Sequence, residues 1–172
     1  TFNAIDPAPF IDTAGNWWLV FGSWEDGIHV LPLDPVTGLR QGTAMHDIAH
    51  RDAGEEGAFI FPWTVGGTKY YYYFASINVC CSATARYRVI VGRSTSPTGP
   101  FLDRGGLNLS NGGGTILLSA HANIKGPGGQ SVVDVSGTPV LVYHYYDSNA
   151  GYAPKLGLNN LAFDAEGWPY VQ

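Results

Sequence analysis

One arrangement recurs three times along this chain, a polar turn feeding a long aromatic and β-branched run. Asp12-Thr13-Ala14-Gly15-Asn16 leads into Trp17-Trp18-Leu19-Val20-Phe21-Gly22-Ser23, and Gly66-Gly67-Thr68-Lys69 leads into Tyr70-Tyr71-Tyr72-Tyr73-Phe74-Ala75-Ser76. The third copy is Asp134-Val135-Ser136-Gly137-Thr138-Pro139 followed by Val140-Leu141-Val142-Tyr143-His144-Tyr145-Tyr146. Such runs suit strands with both faces covered. A second extended run follows each copy: Gly27 to Leu33, Tyr87 to Ser94 and Leu156 to Leu161. Turn signals close all three, at Asp34-Pro35-Val36-Thr37-Gly38, Ser96-Pro97-Thr98-Gly99-Pro100 and Asp164-Ala165-Glu166-Gly167. Each turn is read as feeding an inner strand, with the next strand over behind it.

Antiparallel strand groups repeating every fifty to seventy residues or so predict an all-β chain and a β-propeller rather than a sandwich, and no helical period competes for long. The blades fall at approximately 1–50, 51–120 and 121–172 of a single domain. Three blades do not complete a propeller ring, so the expected domain is an incomplete one. The competing architecture is a Greek-key sandwich of about nine strands.

Composition removes other classes. The net charge is −5 and the nine Lys and Arg residues form no cluster, which excludes the phosphate-neutralising surface of a nucleic-acid binder. No apolar run reaches the ~18 residues of a membrane helix. Thr1 opens directly on extended, motif-bearing sequence, so no leader is read there and a mature or cut chain is expected. Charged residues are only 13% and aromatics equally 13%, a balance opposite to that of disorder. The two cysteines, Cys80 and Cys81, are adjacent; they fit a vicinal disulfide or two buried thiols, and lack zinc-ligand spacing.

Acidic residues stand at equivalent places, Asp6-Pro7 near the start and Glu55-Glu56-Gly57 about fifty residues on. A lone carboxylate is usually just solvated. The start of successive blades is a different setting, because first strands of a propeller line its axis and their side chains converge. Gly126-Pro127-Gly128-Gly129-Gln130 lacks the Lys-Ser/Thr of a phosphate loop and is read as a close-packed turn into the last blade. The tyrosines from Tyr70 to Tyr73 are expected to fill both faces of one strand, and His121 to lie near the cleft.

Together, Asn3-Ala4-Ile5-Asp6-Pro7, Trp17 to Ser23, Glu56-Gly57-Ala58-Phe59-Ile60, Tyr87 to Ser94, Gly126 to Ser131 and Val142 to Asp147 resemble glycoside hydrolase family 43. The resemblance runs from end to end and is to its endo-1,5-α-L-arabinanases, particularly the fungal ones. It implies part of a five-bladed propeller, with this chain matching the last three blades, and hydrolysis of internal α-1,5-L-arabinofuranosyl links of arabinan with inversion.

By that resemblance Glu56 is the general acid, with Glu55 the alternative if the register is shifted by one. Asp6 is the third carboxylate, which orients the acid and keeps it protonated through like-charge repulsion. Ser23, Trp24 and Ile5 are implied as substrate contacts, and His144 as ligand of a structural calcium on the axis; no cofactor is implied for the chemistry. The family's base aspartate has no counterpart, since Asp12, Asp26, Asp34 and Asp47 all follow the Asp6 motif. The chain alone is therefore expected to be inactive, with the missing blades upstream or in another chain. Ala58 stands where the family carries proline, and Trp24-Glu25-Asp26 where many relatives carry Phe-Trp. The expected partner is arabinan or its oligosaccharides, and the expected location is extracellular. A non-catalytic arabinan-binding fragment is the alternative, and a truncated product unable to fold alone is a third reading.

Overall fold

A computed structural model describes residues 3–172, so Thr1, on which the leaderless start was read, lies outside the described residues. Among the described residues twelve strands make three antiparallel sheets, each a meander in chain order. The first holds β1 (Ala8–Ile11), β2 (Trp17–Gly22), β3 (Ile28–Leu33) and β4 (His46–Ala49). The second holds β5 (Glu55–Val65), β6 (Thr68–Ile77), β7 (Arg88–Ser94) and β8 (Thr115–Leu118), and the third β9 (Ile124–Val135), β10 (Thr138–Asp147), β11 (Ala153–Phe163) and β12 (Pro169–Val171). No α-helix occurs among the described residues. These are three blades of a β-propeller, as the recurrence predicts.

One turn device recurs at four of the chain's reversals. Asp12, Asp34, Asp103 and Asp164 each accept a backbone N–H from a glycine three or four residues on, at the main-chain carbonyl, and two more N–H groups at the side chain. The carboxylate satisfies amides that a tight turn would otherwise leave unpaired. At Asp12 burial pushes the carboxyl up, but the bonds from Asn16, Trp18 and Ala14 outweigh it and hold the group below its usual range.

Packing follows the two-residue period of β6. Tyr71 and Tyr73 enter the core between the first two sheets, with Val20, Ile28, Val30 and Ile60. Tyr72 and Phe74 point the other way, into the core between the second and third sheets, with Val91, Leu141, Tyr143 and Trp168. The tyrosine run thus fills both faces of its strand.

Two readings need correcting. The aromatic runs β2, β6 and β10 are second strands; the innermost are β1, β5 and β9, which converge, β5 touching both others. Aromatic density marks strands covered on both sides, whereas the axial strands have one side on the open funnel. Gly126 to Gln130 is no turn: it lies within β9, whose pairing with β10 is broken by register shifts around His144.

Candidate active site

The β5 strand begins with two glutamates, and alternation sends them to opposite places. Glu55 turns into the core between the first two sheets and is only 2% exposed. One of its oxygens accepts from the Tyr73 hydroxyl at 3.0 Å; the other has no partner. Burial raises its pKa to about 7, against the lowering pull of the Tyr73 bond and of Arg51 and His50. Glu56 turns toward the axis. Its Oε1 accepts from the Tyr87 hydroxyl, and its Oε2 from Ser23 Oγ at 3.3 Å.

Immediately after Glu56 the strand bulges, the ladder with β6 skipping from Glu56 to Phe59. Gly57 takes a left-handed backbone there, φ 63°, which glycine accepts without strain. Both of its peptide groups are held from neighbouring sheets. Its N–H donates to Asp6 Oδ2 at 2.9 Å, from the lead-in to β1. Its carbonyl accepts from Gln130 Nε2 at 2.8 Å, from β9. Gln130 is buried and is itself fixed, its Oε1 accepting from Ser76 Oγ, which in turn accepts the Gly129 N–H, both at 2.8 Å. The segment carrying Glu56 is therefore clamped by three sheets at once.

Tyr87 is buried and its hydroxyl is held well above its ordinary range, by burial first, then by the bond to Glu56 and the negative charges of Glu56 and Asp6. It is a fixed donor. Behind it His144 lies with its ring centroid 5.9 Å from that of Tyr87 and 5.8 Å from that of Tyr146. The crowding explains Gly128, since a Cβ there would strike the Tyr87 ring and come within 2.8 Å of Ser76 Oγ.

The remaining residues singled out in the sequence surround this group unequally. Ser23 is buried on Glu56. Trp24 is 40% exposed, its ring lying against Gly54 and its N–H bonded to the Glu55 carbonyl. Ile5 is exposed and meets the rest through its carbonyl, which accepts from the Gly22 N–H. His121 is exposed and bonded to the Ser119 carbonyl, outside the Glu56 network. Ala58 is buried in the first core. Cys80 and Cys81 form a vicinal disulfide in the β6–β7 connection.

His144 keeps a buried Nε2 without a partner, and burial lowers its pKa. An unused ring nitrogen fits a cation ligand, but among the described residues no group of three or more His, Cys, Asp or Glu surrounds it. A hard cation there would take the rest of its shell from water.

Tyr87, Ser76 and Gln130 carry the clamp, yet sequence reasoning gave none of them a role. Tyr87 and Gln130 lie inside quoted motifs, and Ser76 ends the tyrosine run, but no spacing shows that they meet across sheets.

The family model for glycosyl hydrolases family 43 matches residues 1–169. The chain belongs to that family. It is 40% identical over 185 aligned positions to a probable arabinan endo-1,5-α-L-arabinosidase A of Aspergillus clavatus, covering 99% of this chain and 55% of that protein. It is 41% identical to the extracellular endo-α-(1→5)-L-arabinanase 1 of Bacillus subtilis, covering 98% of this chain and 50% of that protein. Among solved structures, an exo-1,5-α-L-arabinanase from a bovine ruminal metagenomic library superposes with a TM-score of 0.91 at 35% identity, over 99% of this chain and 57% of that one. The chain thus spans about half the length of the relatives it matches.

Proposed function

We propose that this chain carries the proton-donating half of an inverting glycoside hydrolase that cleaves α-1,5-linked L-arabinofuranosyl chains. The observation that carries the reading is the clamp on Gly57, by Asp6 from one side and Gln130 from the other, which fixes the direction of the Glu56 carboxyl toward the axis. Kinship with arabinan-cleaving proteins supports the substrate class.

In the reaction the bond between the anomeric carbon and the leaving sugar oxygen breaks, and Glu56 gives that oxygen a proton. Water adds to the anomeric carbon from the opposite face and loses its proton to a base about 6.5–9.5 Å from the acid. Ser23 and Tyr87 hold the two oxygens of Glu56, and Asp6 orients it through the Gly57 N–H. Trp24 and Ile5, both exposed beside the acid, are assigned to the sugar. His144 would hold a cation through Nε2; when bound, that ion supplies positive charge on the axis.

The base is assigned to no described residue. The hydrogen-bond network of Glu56 and Gly57 contains one other carboxylate, Asp6, and its Oδ2 is already engaged. Further blades, in this polypeptide or another, are assigned the base. The outward face of the third sheet supports them, since Leu156 and Leu158 on β11 are 65% and 60% exposed. The extracellular placement rests on the polymeric substrate and on the name of the Bacillus relative.

The same shortage of carboxylates favours a second reading, a propeller segment that binds arabinan without cutting it. Reducing-sugar release from linear arabinan separates the two. Together with the blades that complete the ring, the chain is expected to release sugar, and Glu56→Gln to slow release on the order of 10²–10⁴-fold. Binding without release in the completed ring would leave only the second reading.

A further inference from the structure

An open cavity of about 760 Å³ lies at the far end of the second and third sheets from Glu56. Tyr70 at the start of β6, Arg93 at the end of β7, and Glu166 and Trp168 in the β11–β12 turn contribute to its wall. Tyr70 pairs with Trp63, seven positions after Glu56 along β5, and Ser76 with Glu56 itself. At about 3.3 Å per residue the cavity therefore opens about 20 Å from the acid, on the opposite face of the ring. It is no extension of the cleft.

Its chemistry is that of a site for an uncharged, hydroxyl-rich ligand. Every charge in the wall is already answered within the protein. Arg93 lies between two rings, its Cζ 4.4 Å from the Tyr70 centroid and 4.2 Å from that of Trp168, and donates to the Glu166 carbonyl. Arg104 is paired with Asp164 at 2.9 Å and Glu166 at 2.8 Å. Asp103 accepts from the N–H groups of Leu107 and Gly114. Ser94 is buried with its Oγ accepting the Ser96 N–H, and Ser96 Oγ is engaged with Thr98, so what remains for a ligand is the exposed Thr95 hydroxyl, beside aromatic and aliphatic surface from Tyr70, Pro100 and Leu102. Hydroxyl groups paired with ring edges and C–H surface recognise sugars, and the volume lies within the range of small-ligand sites.

We propose that this cavity is a second carbohydrate site, which holds a neutral polysaccharide chain away from the cleft. Its ligand is arabinan if the reading of the cleft is right, and only that identity rests on the reading. Held there, a polymer stays at the protein between cleavage events; a short oligosaccharide that does not reach from one face to the other gains nothing.

Affinity electrophoresis of the whole chain tests this, in gels carrying linear arabinan, a neutral galactan or polygalacturonate, each against a gel without polysaccharide. The variants are Thr95→Trp and Arg104→Ala at the cavity, both at exposed positions, and Trp24→Ala at the cleft. Expected are retardation by a neutral polysaccharide, binding about tenfold weaker in Thr95→Trp at an unchanged unfolding temperature, and retardation retained in Trp24→Ala. Galactan acting through the cavity in place of arabinan would keep the site and count against arabinan as its ligand. No retardation of the parent chain, stronger retardation by polygalacturonate, or parent-like binding in both cavity variants overturns the proposal. Loss in Trp24→Ala alone assigns all binding to the cleft and leaves the reading of Glu56 standing.

Discussion

The two junctions between sheets use alternate residues of the same strand, β6, and come out chemically opposite. In the second junction the Tyr72 hydroxyl donates to the Gly167 carbonyl at 2.6 Å and Arg93 is stacked between rings, so the polar groups around Tyr72 are matched. In the first junction Tyr73 reaches a buried carboxyl, Glu55, that keeps one oxygen unpartnered, and Arg51 Nε close by is unpartnered too. Matched groups of this kind stabilise the fold without coupling it to an ionisation. An unmatched one, one residue from Glu56, leaves the ionisation of a buried acid coupled to the fold.

The largest expected effect on stability comes from removing that acid. The carboxyl of Glu55 ordinarily titrates near 4.5 and is raised to about 7 in the fold, so the folded state binds the proton more tightly. The resulting stabilisation is complete below about pH 4.5, declines as pH rises, and is gone above about pH 7, amounting to roughly 3 kcal/mol. Denaturant unfolding across this window should show the decline in the parent and a nearly flat profile in Glu55→Gln; equal slopes would contradict the comparison. Asp147 titrates elsewhere, its carboxyl lowered to about 2 by Lys155 and Asn123, so its contribution is present above 3.8 and lost as pH falls through about 2.

A smaller effect is expected where the sheets meet. Gly128→Ala places a methyl group against the Tyr87 ring and Ser76 Oγ, and should cost about 1–3 kcal/mol. Because Tyr87 holds Glu56, the completed enzyme should also lose rate; destabilisation with full rate would show that the Tyr87 contact does not matter to the acid. Smallest is Tyr72→Phe in the second junction, expected to cost about 1 kcal/mol by thermal unfolding and nothing in rate. A rate loss there would show that the Tyr72 bond, far along β6 from Glu56, is coupled to the acid.

Much of the fold was legible because turn chemistry is local. Asp12, Asp34 and Asp164 each build a reversal from residues within a few positions of themselves, and the aromatic runs between reversals have the length of strands. Which strand is innermost was not legible, since β6 with Tyr71 to Phe74 looks more interior than β5 and is indeed more buried. Asp6 and Glu56 stood out by their places in the repeat but took their roles from family likeness, as did Ser23, and the fold brings all three together around one peptide. Gln130 escaped because its partners, Gly57 and Ser76, lie on another sheet, 73 and 54 positions away. Contacts at that range leave no periodic trace in a single sequence.

The claim on which the account turns is that Glu56 gives a proton to the departing sugar oxygen, and leaving-group dependence tests it most directly. Rates of the completed enzyme and of its Glu56→Gln variant should be compared on linear arabinan and on an arabino-oligosaccharide bearing an acidic aryl leaving group. The account predicts a loss on the order of 10²–10⁴-fold on arabinan and a far smaller loss on the aryl substrate, which departs without a proton. Equal losses on the two substrates, or none on arabinan, would contradict it.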